Sequence, residues 1–177
     1  MRIVAAVVLL TLGAAGCTRV TEHRQPACEP GSATTLMAES VMSAQLIPCL
    51  RALPVGWEFA AFEADDEGAT FVLEARSGED GTVEIELLPR CDEAVVGRTT
   101  RSDEPGASLT RAVMSQEPYR ATWVYEFPGG CARYRIELAL DQLPTDHLAE
   151  LRRSLSFVDR KDLADLLAAQ GASEAPG

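Results

Sequence analysis

The sequence predicts an α+β fold, an antiparallel sheet with helices packed on one side, in a single small domain. Three observations carry that expectation. Runs of alternating apolar and polar residues are separated by acidic turns that carry glycine. A Gly129-Gly130 pair lies between two long strand-like segments. Leucines recur at helical spacing toward the C-terminus. With 177 residues, 46% of them hydrophobic, the chain can build one real core.

Behind Ser43, the segment AQLIPCLRAL suggests a short helix capped by Ser43 and stopped by Pro54, although Pro48 falls inside it. Three strands follow: WEFAAFE, ATFVLEA and TVEIELL. The third alternates most cleanly, with Val83, Ile85 and Leu87 facing one way and Thr82, Glu84 and Glu86 the other. DDEG (65–68) and GEDG (78–81) are the hairpin turns between them. Residues 98–115 have little pattern and read as a long loop that could end in a strand.

The firmest pair is YRATWVYEFP and CARYRIELAL around a two-residue Gly129-Gly130 turn of type I′. Setting Pro128 opposite Cys131 places Phe127 against Ala132, Tyr125 against Tyr134, Trp123 against Ile136 and Ala121 against Leu138. The polar face then pairs Glu126 with Arg133 and carries Cys131 as a surface clasp. Asp146 to about Leu155 is a helix with Leu148, Leu151 and Leu155 on one stripe. Residues 156–158 form an extended link. Asp159 caps a last helix bearing Leu163, Leu166 and Leu167, which Gly171 ends.

The N-terminus has its own logic. A short positive start (Met1, Arg2), an apolar run (Ile3 to Leu12) and small residues (Gly13 to Gly16) make the three-part layout of a secretory signal. The run is shorter than the ~20 residues a membrane-spanning helix needs. Ala14-Ala15-Gly16-Cys17 resembles the lipobox of bacterial lipoprotein precursors, with Ala14 where leucine is commoner. The resemblance implies a lipid on the Cys17 sulfur, cleavage just before Cys17 and acylation of the new amino terminus. More than one acyl chain at a site suffices for stable anchoring. The rest of the chain, rich in Ala and Arg with Lys161 as its one lysine, has the general character of the uncharacterised lipoproteins common in actinobacteria.

The expected division is therefore 1–16 lipoprotein signal peptide, 17–31 lipidated terminus and flexible spacer, 32–170 extracytoplasmic α+β domain and 171–177 disordered tail. Cys28, Cys49, Cys91 and Cys131 are an even set, which in an exported chain implies disulfides. Three pairings are open. Cys28–Cys49 with Cys91–Cys131 joins sequence neighbours, each bridge worth ~3–4 kcal/mol by chain entropy. No CxxC pair suggests redox chemistry or zinc.

Composition and motifs exclude more than they assign. A net charge of -11 argues against nucleic acid as a partner and against a polybasic grip on lipid. Only two histidines exist: His23 in the spacer and His147 at a helix start, next to Asp146 but on a different side of the helix. No nucleophile elbow, metalloprotease, phosphate-loop or dinucleotide motif is present. Glu63, Asp65, Glu67, Gly68 and Glu74 match calcium-loop spacing, yet the first ligand is of the wrong type and the flanks read as strands. The sequence thus implies no catalytic residue, no metal and no cofactor.

The aromatics Trp57, Phe59, Phe62, Phe71, Trp123, Tyr125 and Tyr134 read first as core and second as a pocket lining. The resulting expectation is a membrane-tethered, non-catalytic binding lipoprotein of the cell envelope, whose partner could be another envelope protein. The alternative is a carrier or sensor of a small apolar ligand. A hydrolase using carboxylates ranks third.

Overall fold

The computed structural model describes residues 20–21, 24–76, 81–91, 95–138 and 144–173, and the account below concerns these. In chain order the elements are β1 (Val20–Thr21), α1 (Ser32–Ser40), β2 (Leu46–Leu50), β3 (Trp57–Ala64), β4 (Ala69–Ala75) and β5 (Gly81–Leu88). There follow β6 (Arg98–Arg101), β7 (Ser108–Gln116), β8 (Tyr119–Phe127), β9 (Gly130–Leu138), α2 (Pro144–Ser154), β10 (Leu155–Asp159) and α3 (Arg160–Ser173). The described residues are mostly antiparallel strand, with three helices, so the domain is richer in sheet than expected. An eight-stranded antiparallel sheet runs β1-β3-β4-β5-β9-β8-β7-β6, and β2 pairs with β10 in a separate ribbon.

The meander β3-β4-β5 follows the alternation read from the sequence. Its first turn is held by the Asp65 carboxylate, which accepts the amide protons of Glu67 (3.0 Å) and Gly68 (3.2 Å). That is the local bond that makes aspartate a turn former. The 78–81 turn lies largely outside the described residues.

The β8–β9 hairpin is present with its turn one position earlier. Phe127 pairs with Gly130, so Pro128 and Gly129 form the loop. Proline's fixed φ suits the first central position, and Gly129 (φ +79°) supplies the positive φ required at the second. The register moves by two. Each residue keeps its face, but Tyr125 meets Ala132, Trp123 meets Tyr134, and Ala121 meets Ile136. Glu126 faces Cys131, and Arg133 finds its acid on β5 instead.

The expected helix over 44–53 is strand β2. Pro48 has no N–H to give to a helix, but it is accommodated in a two-stranded ribbon, where it stands opposite Phe157. Ser43 is no cap: its hydroxyl donates to the Gly129 carbonyl at 2.6 Å and braces the hairpin turn. The helix of this region is α1, with Ala33, Met37 and Ala38 buried. The link at 156–158 is extended as expected and forms the middle of β10.

Residues 98–115 are not one long loop: the strand expected at their end is present as β7, but β6 precedes it across the 102–107 connection. They hold β6 and most of β7, paired from Arg98–Arg111 to Arg101–Ser108. Arg111 breaks the apolar alternation there and hides the strand. Asp159 does start α3, accepting the Lys161 amide proton at 2.7 Å. The helix continues past Gly171 to Ser173, since one helical glycine costs only ~1 kcal/mol. Of its three leucines only Leu163 is buried.

One core holds these parts together. Phe62, Phe71, Leu73, Val83, Ile85, Leu87, Tyr134 and Ile136 on one sheet face pack with α1, Leu151, Leu163 and the ribbon's Ile47 and Leu50. α1 packs against β2, β3 and β4, whereas α2 and α3 pack against β10. The ribbon is therefore part of the layer that covers the sheet. The opposite face carries ion pairs across strands: Glu86 with Arg133 (2.6 Å), Glu84 with Arg135, and Glu137 with Arg120 (2.7 Å). Cys131, on this face, is tied to Cys91, so the residues just after β5 are held against this side of β9. Cys131 is only 2% exposed and the clasp is buried at that end, not superficial.

The stretch expected as a spacer is partly fastened. Val20 and Thr21 pair with Ala64 and Glu63. Leu50 donates its amide proton to the Pro26 carbonyl (2.7 Å) and accepts that of Cys28 (3.1 Å) beside the Cys28–Cys49 bridge.

Candidate functional site: a small aromatic cavity

The register places Tyr134, Trp123 and Arg111 in one row on neighbouring strands β9, β8 and β7. Tyr125, two residues along β8 from Trp123, packs its ring 5.0 Å from that of Tyr134. Phe157 of β10 backs both tyrosines, 5.2 Å from Tyr125 and stacked 6.4 Å from Tyr134. The Arg111 guanidinium lies over the Trp123 ring, 5.0 Å from its centroid, a cation–π contact that fixes the indole.

Over this row lies a cavity of about 50 Å³, with Leu109, Trp123, Tyr125 and Tyr134 from the sheet as walls. Ser102, Asp103 and Glu104 from the β6–β7 connection, Arg152 of α2 and Leu155 of β10 close it. Such a space takes a few waters or one small group, well below the ~300–1,000 Å³ of a drug-sized pocket. A larger hollow of about 360 Å³ along residues 24–31 has no aromatic lining.

The polar groups around the cavity are specific. Arg152 and Asp103 form an ion pair (2.5 Å) with both side chains largely exposed. Ser102 accepts the Glu104 amide proton at 3.0 Å, holding the connection in a turn. The Glu104 carboxylate accepts from Ser156 Oγ (3.4 Å), which itself accepts from Arg51 (2.8 Å). Tyr134 Oη is buried and, among the described residues, has no hydrogen-bond partner, a costly state for a hydroxyl. Burial pushes the Tyr134 pKa well up, with Tyr125 and Glu104 adding to the effect. Burial also raises Tyr125, against the opposing pull of Arg111 and Arg152. Both phenols therefore keep their protons at neutral pH and can donate.

The residues singled out from sequence separate into groups. Cys17 and His23 lie outside the described residues, and His147 falls within α2. Cys28 is joined to Cys49 and Cys91 to Cys131. Glu63, Asp65, Glu67, Gly68 and Glu74 belong to the β3–β4 hairpin. Among the described residues no group of three or more His, Cys, Asp or Glu is placed to hold a metal. Trp57, Phe62 and Phe71 are core and Phe59 packs on it, while Trp123, Tyr125 and Tyr134 share the cavity. Ser102, Asp103, Glu104, Arg111 and Arg152 were not foreseen. The one signal for the first three was a charged, proline-bearing SDEPG stretch, which resembles any exposed loop, and Arg111 and Arg152 had none. Among the described residues no helix is long and apolar enough to cross a membrane. No protein family, curated protein or solved structure matches the chain.

Proposed function

We propose that the chain is the precursor of a lipoprotein, anchored by lipid on Cys17 to the outer face of the cell membrane, whose domain acts by binding without catalysis. The observation that carries this reading is the Ala14-Ala15-Gly16-Cys17 sequence behind a charged start and an apolar run. The bridges Cys28–Cys49 and Cys91–Cys131 support it, because such staples persist in oxidising compartments. Envelope proteins remain the kind of partner the reading implies. The cavity favours recognition of a small polar group over transport of a bulky apolar ligand, given its volume of about 50 Å³.

Anchoring at Cys17 would also hold the body close to the bilayer. Two residues, Thr18 and Arg19, lie between Cys17 and Val20 of β1, so three Cα–Cα steps give a reach of ~11 Å. The β1–β3 edge is then the membrane-proximal side. Metabolic labelling with palmitate tests the anchor: the wild-type chain takes up label and Cys17→Ser does not. Equal labelling of the two would remove Cys17 as the attachment point.

A further inference from the structure

We propose that β6, at the outer edge of the sheet, is a docking strand for an extended acidic segment of a partner protein, which pairs beside it and sets a carboxylate against Arg98 and Arg111. This rests on reading the chain as a binding domain but not on its lipid anchor, so palmitate labelling at Cys17 and the titration below fail separately. Arg98 faces Arg111 directly across β6 and β7. Like charges so placed destabilise a sheet. The chain has 27 acidic residues against 16 basic ones, and Arg120, Arg133, Arg135 and Arg152 each hold a carboxylate. Among the described residues, neither Arg98 nor Arg111 does. Arg98 is exposed, and the guanidinium of Arg111 is kept in place over the Trp123 ring. Two uncompensated charges at the rim of an acidic protein call for an anion from outside.

Strand geometry selects the kind of anion. β6 pairs with β7 on one side, and among the described residues no strand lies on the other. Its free edge offers backbone donors and acceptors to an added strand. Val96 and Val113 stand two residues from Arg98 and Arg111, on the same face, and are 94% and 52% exposed. Gly97 keeps the chain tight against β7, since a Cβ on it would lie 2.2 Å from the Arg111 carbonyl oxygen. The face thus presents an apolar and a cationic position at the two-residue period of a strand. A segment antiparallel to β6 matches it with an acid and, two residues further on, an aliphatic side chain. The same arginines oppose a second copy, because two β6 edges side by side would bring like charges together.

The test titrates the ¹⁵N-labelled full chain, in mild detergent, with acetyl-TTETVT-amide and, separately, with acetyl-TTKTVT-amide. The expected result is a saturable shift of the Arg98, Thr99 and Thr100 amides with the glutamate peptide and none with the lysine peptide, while the amide of buried Ile85 stays still. Arg98→Glu should weaken the glutamate peptide about tenfold. The same substitution should raise the melting midpoint by about 2 °C, because it gives Arg111 an acid, and the melt also verifies folding. Equal shifts with both peptides, no shift with either, or an unchanged affinity in Arg98→Glu would overturn the proposal. A lowered midpoint in a folded Arg98→Glu chain would contradict the uncompensated pair on which it stands. Shifts of the same size with acetate would reduce the edge to a bare charge and remove strand addition. Shifts with phosphatidylglycerol vesicles in place of the peptide would give the edge to the membrane, and the proposal would fall.

Discussion

Arg160, the first residue of α3, reaches back across the ribbon to Val41 just beyond α1 and donates from Nη2 to its carbonyl at 2.6 Å. The same guanidinium donates to the carbonyls of Ala38 (2.8 Å) and Ala44 (2.6 Å). Helix C-termini leave carbonyls unsatisfied and carry negative partial charge, and one arginine meets both needs here. Burial lowers the Arg160 pKa, which is the cost of bringing that charge inside. The relationship ties the first helix to the last.

Arg160→Met should therefore lower stability by about 3 kcal/mol, since charge-assisted bonds are lost and carbonyls are left partly dry. Urea melts would show a lower midpoint with an unchanged slope. Arg160→Lys, with one compact ammonium head, should recover only part of the loss.

Two glycines with the same backbone angle separate strain from contact. Gly129 has φ +79° and Gly106 has φ +80°. A Cβ on Gly129 would stand 1.8 Å from the Ser43 carbonyl oxygen, whereas one on Gly106 meets nothing within 4 Å. Gly106→Ala should cost about 1 kcal/mol from the left-handed backbone alone. Gly129→Ala should cost more than about 3 kcal/mol, because the 43–45 stretch must move off the turn. Thermal melts of the two variants give the comparison directly.

The ion pairs on the open face should differ in worth. Glu86 and Arg133 are 13% and 12% exposed, and Glu86 also lies 3.1 Å from Arg135. Glu86→Ala leaves two arginines side by side with one of them largely buried, and should cost about 2 kcal/mol. Glu137→Ala removes an exposed partner of Arg120 and should change the melting temperature little.

The alkaline limb of stability reports the tyrosines. The chain has three, Tyr119, Tyr125 and Tyr134, and burial raises the pKa of each above the usual value near 10. Between the unfolded and folded values the native state holds more protons, so stability must fall as pH rises. The tyrosine contribution is complete below pH ~10 and is lost above it. Absorbance at the phenolate band should stay low until the chain unfolds, and urea midpoints should begin to drop only past that pH.

How legible was the fold? Strands whose faces follow a strict alternation, as in Val83, Ile85 and Leu87, could be read directly, and so could the helix start at Asp159. Elements that depend on distant partners could not. β2 looks helical until β10 is set beside it, and β7 lacks a clean apolar alternation because Arg111 occupies the position opposite Trp123, over whose ring it lies. The hairpin register turned on whether Pro128 belongs to a strand or a turn; Ser43 packs so close to Gly129 that no side chain fits there, and its hydroxyl braces the turn. Half of the cavity was legible as aromatic alternation on β8 and β9. The other half comes from Ser102, Asp103, Glu104 and Arg152, brought there by chain crossings that leave no local pattern.

The central claim, a tethered and doubly bridged binding domain, meets its most direct test in the intact mass of the chain extracted from membranes, taken before and after reduction. The account predicts a mass that fits cleavage before Cys17 plus acyl chains, increasing by four hydrogens as Cys28–Cys49 and Cys91–Cys131 open. An unacylated mass that does not change on reduction would contradict it.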